Sequence, residues 1–277
     1  LMVWVMIAED GDPMITRDYV QYMTSNAILV GAEIDKMVSI FLVTTVLCIA
    51  VIRGRNAFYR AILEQTAAQD LSRFVSKEVA RRITSADKQI QPGDGETRHA
   101  SIIFTDIEGF STVSENMSAQ ELATTLNAYF GTMGEVIDRF GGVITLFEGD
   151  LMLITFNAVM DDPDHAANAV RTAMAIEKTA RTQTFNGVVL KTRCGINTGE
   201  ISVGAVGAQD RLVFTVHGDN VNIAARLEQL NKDHGTYILM GEATHVATRL
   251  EYQCDFVCET QVKGRNQAVR VYTPNIV

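Results

Sequence analysis

The chain has 277 residues, 47% of them hydrophobic and 21% charged, which allows one or two domains with a proper core. Its net charge of −9 argues against a nucleic-acid partner, since no basic surface dominates. It does not argue against a nucleotide, because bound divalent cations reverse the sign of a site locally.

Taken in chain order, Leu1 to Ala8, "LMVWVMIA", reads as the tail of an earlier membrane span, with more chain expected upstream. It has no basic n-region or small-residue cleavage site, so it does not read as a signal peptide. Met37 to Ile52 carries no charge. About sixteen residues give about 24 Å of helix, a little short of a hydrocarbon core. "TSNAILVGA" just upstream could extend it, with Glu33, Asp35 and Lys36 then near the outer interface. Length and flanks favour a membrane span in contact with lipid over a buried helix of a soluble bundle. Glu9, Asp10 and Asp12 precede the span, and Arg53, Arg55 and Arg60 follow it. That asymmetry places the chain after Ile52 in the cytoplasm, on a protein of the cell membrane. Residues 1–52 are the expected membrane region.

Residues 53–98 are expected to form a connecting helix, to about residue 90, and a linker. The apolar positions Phe58, Ile62, Leu71, Phe74 and Val75 are too irregular for a sustained coiled coil, but suit a helix that pairs with its twin in a dimer. "QPGDGE", Gln91 to Glu96, is a breaker cluster that marks the domain boundary.

Residues 99–277 alternate strand and helix. Ser101 to Thr105 reads as a strand. Ser118 is a good helix cap, with Leu122, Leu126, Phe130, Met133, Ile137 and Phe140 at helical spacing as the core stripe. Two apolar strands then flank the turn Glu148-Gly149-Asp150. Asp162 to Arg181 reads as a helix with Ala166, Val170, Ala173 and Ala180 on one face. Strands are expected at Val188 to Ile196, Ile201 to Val206 and Leu212 to Val216. The fold class is α+β, and the order βαββαβ is the ferredoxin-like plan, with helices on one side of the sheet.

That plan bears on "SIIFTDIEGFS", where Ile102, Ile103 and Phe104 run almost directly into Asp106. If the first strand pairs antiparallel with the second strand of the hairpin, Asp106 meets Asp150. Two such carboxylates stay ionised cheaply only around a cation, and oxygen ligands suit magnesium or manganese with positions open for phosphate oxygens. The residues after Asp106 turn into a helix whose backbone N–H groups could cradle phosphates. Glu108 and Glu148 read as solvated acids. The histidines, among them His165, show no metal-ligand spacing. Cys48, Cys194, Cys254 and Cys258 read as reduced thiols, mostly core.

"FTDIEGFS", "EGD" in a hairpin, "GINTGEISVGAVG", "GDNVNIAARLE" and "VKGRNQAVRVY" together resemble the class III nucleotide cyclases, from about His99 to Val277. The resemblance implies synthesis of a 3′,5′-cyclic nucleotide and pyrophosphate from a nucleoside triphosphate, with ATP preferred, in a homodimer whose sites span the interface. It makes Asp106 and Asp150, with the Ile107 carbonyl, the ligands of two divalent metals, Mg2+ or Mn2+. It makes Asn222 and Arg226 the catalytic pair that positions the ribose and stabilises the transition state; their i, i+4 spacing puts both on one helix face. It assigns Arg193 and Lys263 to the β- and γ-phosphates, and Phe110, Leu146 and Thr215 to the substrate-binding set. One position departs from the pattern. Adenylate cyclases of the family usually carry Lys, and guanylate cyclases Glu, four residues before the second metal Asp; here that residue is Leu146, which cannot donate a hydrogen bond.

Overall fold

The computed structural model describes residues 15–24, 28–71, 78–79, 93–208, 211–261 and 268–275. The chain divides into two compact units, Leu1–Gln69 and Asp70–Val277. The expected span tail at Leu1 to Ala8 and the part of the connecting helix at residues 72–77 and 80–92 lie outside the described residues.

In the first unit, β1 (Ile15–Thr16) pairs in parallel with β2 (Ile28–Leu29), with α1 (Tyr19–Thr24) between them. Then α2 runs unbroken from Val30 to Leu71. Within it, Val30–Ile62 has a mean hydropathy of 2.2 and is long and apolar enough to cross a membrane, and none of its most apolar stretch is buried. The hydroxyls of Thr44 and Thr45 donate to the carbonyls of Ile40 and Phe41, each at 2.7 Å, as polar groups on an apolar helix must. The expected span and the start of the expected connecting helix are thus one helix.

The second unit is built on an eight-stranded sheet. Its elements are β3 (Gly95–Ile107), α3 (Phe110–Glu115), α4 (Ala119–Arg139), β4 (Val143–Glu148), β5 (Leu151–Phe156), α5 (His165–Thr182), β6 (Thr192–Ala208), β7 (Arg211–His217), α6 (Asp219–His234), β8 (Ile238–Gly241), α7 (Glu242–Thr248), β9 (Cys254–Gln261) and β10 (Ala268–Pro274). The strand order is β4-β5-β3-β6-β8-β10-β9, with β7 paired to β6. The four strands of the βαββαβ unit stand in the ferredoxin-like order, with β3 antiparallel to both β5 and β6.

Successive residues of β3 feed opposite faces. Ile103 and Ile107 join a core closed by α4 and α5, while Ala100 and Ile102 join a core that includes Val221 and Ala224 of α6. The expected one-sided sheet is therefore covered on both faces. Helix α4 starts as its sequence dictates: Ser118 accepts from the Glu121 amide and Glu121 reaches back to the Ser118 amide, a complete capping box. Its buried stripe is Thr125, Tyr129, Met133, Val136 and Ile137, displaced from the expected one; Leu126, Phe130 and Phe140 are only part-buried against that core. The reason is polar as well as apolar, for the buried Tyr129 hydroxyl pairs with Thr192 at 2.7 Å.

Two expected strands, Val188 to Ile196 and Ile201 to Val206, are a single strand, β6, and Val188 to Lys191 lie before it. The expected five-residue first strand is thirteen residues long, because Gly95 to Ala100 pair with Gly204 to Gly199 of that long β6. The glycines of β6 allow close packing rather than breaking the strand. A Cβ on Gly195 would lie 2.1 Å from the Glu228 amide nitrogen, so α6 seats directly on that glycine. Of the four cysteines, all of them free, only Cys194 is buried.

Candidate active site

The alternation of β3 places Asp106 on the face of Ala100 and Ile102, toward α6. Pairing of Glu148 with Leu151 leaves Gly149 and Asp150 as a two-residue turn, and Gly149 takes a φ of 62°, the left-handed region such a turn asks of glycine. With Thr105 opposite Met152, the hairpin tip comes level with the end of β3. There the Ile107 amide donates to Oδ2 of Asp150 at 3.1 Å. Asp106, Ile107 and Asp150 thus meet as the sequence suggested.

Burial, and then the charge of Asp150, push the Asp106 carboxyl up from its ordinary range. Lys232, with Nζ 3.9 Å from Oδ2 of Asp106, and Arg193 pull the other way. A pair of acids this close and this thinly balanced suits a divalent cation with oxygen ligands. Among the described residues no group of three or more His, Cys, Asp or Glu could hold a metal, and the acids gathered at this strand end are the Asp106 and Asp150 pair.

Arg193 lies directly across from Asp106 on β6. Its side chain is only 11% exposed, and Nη2 meets Oε1 of Glu108 at 2.7 Å. Glu108 was expected to be solvated. Instead its Oε2 accepts from the Tyr237 hydroxyl at 2.8 Å, with Lys191 Nζ at 3.9 Å. The Tyr237 hydrogen bond foremost, with Arg193 and Lys191, holds this carboxyl below its usual range.

A third acid, Glu228 of α6, is buried, and its Oε1 has no hydrogen-bond partner. Burial, then the charge of Asp106, push it up to about 7. Sequence reasoning missed it, although the signal was there: Val221, Ala224 and Glu228 follow at helical spacing, so this acid falls on the buried stripe of α6. Lys232 lies one turn further on.

Asn222 and Arg226 are exposed on α6, and among the described residues no hydrogen bond or ion pair joins either to Asp106 or Asp150. Thr215 is part-buried on β7, opposite Gly204 of β6. Leu146 is 36% exposed on β4, beside a register shift. Phe110 opens α3 behind Gly109, whose φ is 67°, and packs against the core. The amides of Thr112 and Val113 are bonded to the Gly109 carbonyl. Lys263 lies outside the described residues. One chain therefore gathers Asp106, Ile107, Asp150 and Arg193, and carries Asn222 and Arg226 exposed on α6 and Thr215 part-buried on β7.

Residues 94–273 match the family described as adenylate and guanylate cyclase catalytic domain. Adenylate cyclase 1 of Rhizobium meliloti (strain 1021) is 36% identical over 211 residues, which cover 72% of this chain and 30% of that protein. The crystal structure of the guanylyl cyclase Cya2 superposes with a TM-score of 0.59 at 30% identity, covering 65% of this chain and 93% of that one. The adenylyl cyclase CyaB from P. aeruginosa gives 0.57 at 28% identity, covering 66% and 96%. The chain spans well under half the length of curated relatives it matches, 30% of the Rhizobium protein and 38% of the adenylate cyclase of Anabaena cylindrica.

Proposed function

The chain belongs to the adenylate and guanylate cyclase family, and from that premise we propose that it is a membrane-anchored adenylate cyclase, converting ATP to 3′,5′-cyclic AMP and pyrophosphate as a homodimer. The single observation that carries this reading is the Asp106–Asp150 pair at one sheet edge, tied together by the Ile107 amide. Asp106, Asp150 and the Ile107 carbonyl would hold two divalent ions, Mg2+ or Mn2+. When bound, these supply a lowered pKa for the ribose 3′-hydroxyl and positive charge for the triphosphate.

The remaining work belongs to the chain's own residues. The 3′-hydroxyl passes its proton to solvent water and its oxygen attacks the α-phosphorus, the bond to the bridging oxygen breaks, and pyrophosphate leaves with that bonding pair. Such a displacement needs mainly alignment and charge stabilisation. Arg193 and Lys263 bind the β- and γ-phosphates. Asn222 orients the ribose, and Arg226 meets the charge that grows on the α-phosphate. Thr215 accepts or donates at the base edge, and Phe110 completes the pocket. Exposure of Asn222 and Arg226, with no partner of their own among the described residues, supports their being donated across an interface to a second chain. The long apolar helix supports a membrane anchor, and Arg53, Arg55 and Arg60 after it, with Glu9, Asp10 and Asp12 before it, support a catalytic unit on the cytoplasmic side, with residues 53–98 as the connection to a catalytic domain from residue 99.

Leu146 favours a second reading of the base preference. An apolar side chain reads neither adenine nor guanine by hydrogen bonding, so discrimination should be modest. Product analysis with ATP and GTP offered separately, with Mn2+ and then Mg2+, tests both readings. Cyclic AMP as the main product supports the first, comparable cyclic GMP the second. No turnover of either nucleotide would leave only a nucleotide-binding domain.

A further inference from the structure

We propose that Glu108 is a positioning residue, a clamp that fixes the Arg193 guanidinium beside Asp106 and aims its free N–H groups at the polyphosphate of the bound nucleotide. The inference rests on the reading of Arg193 as a phosphate contact. The root of the clamp is fixed first, because the Glu108 amide donates to the Lys191 carbonyl at 2.8 Å and so fastens the residue across to the chain entering β6. Its carboxylate is then held from two sides. Tyr237, just before β8, donates to Oε2 at 2.8 Å, and Arg193 donates through Nη2 to Oε1 at 2.7 Å. A guanidinium as buried as this one needs an anion close by.

The register makes the geometry consequential. Asp106 stands directly opposite Arg193, so an unclamped guanidinium would turn toward that carboxylate. Glu108 engages a single Nη2 and leaves the other N–H groups of Arg193 free of this contact. With both of its oxygens already engaged by Arg193 and Tyr237, Glu108 supplies orientation and does not itself touch the substrate.

The test is a double-mutant cycle in the whole chain, measuring kcat and KM for ATP with Mn2+ in Glu108→Gln, Arg193→Gln and the combination. Glu108→Gln keeps the side-chain volume and an acceptor while removing the charge. It should lower kcat about tenfold with KM within about threefold, because the attracting charge of Arg193 stays but its alignment goes. In the Arg193→Gln background the same change should cost less than about twofold, since nothing is left to align. An equal loss in both backgrounds, an unchanged kcat, or a change confined to KM would overturn the clamp. If Arg193→Gln alone leaves kcat/KM intact, the phosphate role of Arg193 fails instead, and the inference goes with it. A purely structural Glu108 would lower the thermal midpoint in both backgrounds alike and leave no coupling in kcat. Should Glu108→Gln unfold below assay temperature, Tyr237→Phe replaces it in the cycle and should show a smaller loss, again only when Arg193 is present.

Discussion

The Ile107 amide donates to Oδ2 of Asp150 at 3.1 Å, so the tip of a hairpin is fastened to the end of the strand beside it. Asp150 thus has a structural duty besides any it has toward a metal, and substitutions there must separate the two.

Asp106→Ala and Asp150→Ala should each lower turnover by about a thousandfold or more, as loss of a metal-holding carboxylate does. Asp150→Asn is the sharper variant, because its side-chain oxygen still accepts from Ile107 while the charge is gone. It should be as inactive as the alanine variant yet melt close to wild type. Near-normal turnover by Asp150→Asn, measured with saturating Mn2+, would sink the metal assignment.

Mixing inactive Asp106→Ala with inactive Asn222→Ala should restore activity, up to about a quarter of the wild-type level for random pairing with one intact site in each mixed dimer. The measurement is cyclic nucleotide formed at a protein concentration that favours dimers. Demonstrated mixed dimers without recovery would rule out a site shared between chains.

Leu146→Lys should raise the ATP-to-GTP ratio of kcat/KM by about tenfold, one hydrogen bond's worth of discrimination. The ratio is read in a variant that still turns over. A wild-type chain that already excludes GTP strongly would show that another residue reads the base.

His165 gives a prediction about acid. Its Nδ1 meets the Ser101 hydroxyl at 2.8 Å, and the His99 ring stands edge-on at 5.4 Å. Burial first, then His99, push its pKa below the ordinary 6.5, against a weaker opposing pull from Asp162. The unfolded chain therefore binds this proton more readily than the folded one. The stabilisation is full above pH 6.5 and drains away as pH falls through the lower folded value. Denaturation midpoints from pH 7.5 down to 5 should fall less steeply in His165→Gln than in wild type. Parallel slopes would show that this histidine does not couple folding to pH.

The carboxylate pair was legible because its signals are local. An apolar strand ends on Asp106, and a Glu-Gly-Asp turn sits between two apolar runs, so the pairing of strands does the rest. The capping box at Ser118 was local too. What escaped was set by distant partners. Glu108 looks like a loop acid until Arg193 and Tyr237, 85 and 129 residues further along, close on it. Gly199 fell in the gap expected between two strands, yet the strand runs through it; Gly195 is small because α6 needs the space, and a Cβ on Gly204 would lie 2.2 Å from the Asp94 carbonyl oxygen. The second helical face was missed for the same reason, since the seat that receives α6 consists of atoms that are not there.

The unbroken course of β6 sets a ruler inside the molecule. Arg193 stands near one end and Gly204, the partner of Thr215, near the other, eleven residues away. At about 3.3 Å per residue that is on the order of 36 Å, more than an extended nucleoside triphosphate can bridge. A nucleotide whose phosphates rest at Arg193 cannot carry its base to Thr215 of the same chain. If both residues serve one nucleotide, the strand's length means that they come from two different chains, and any signal that slides one chain along the other changes the gap between them.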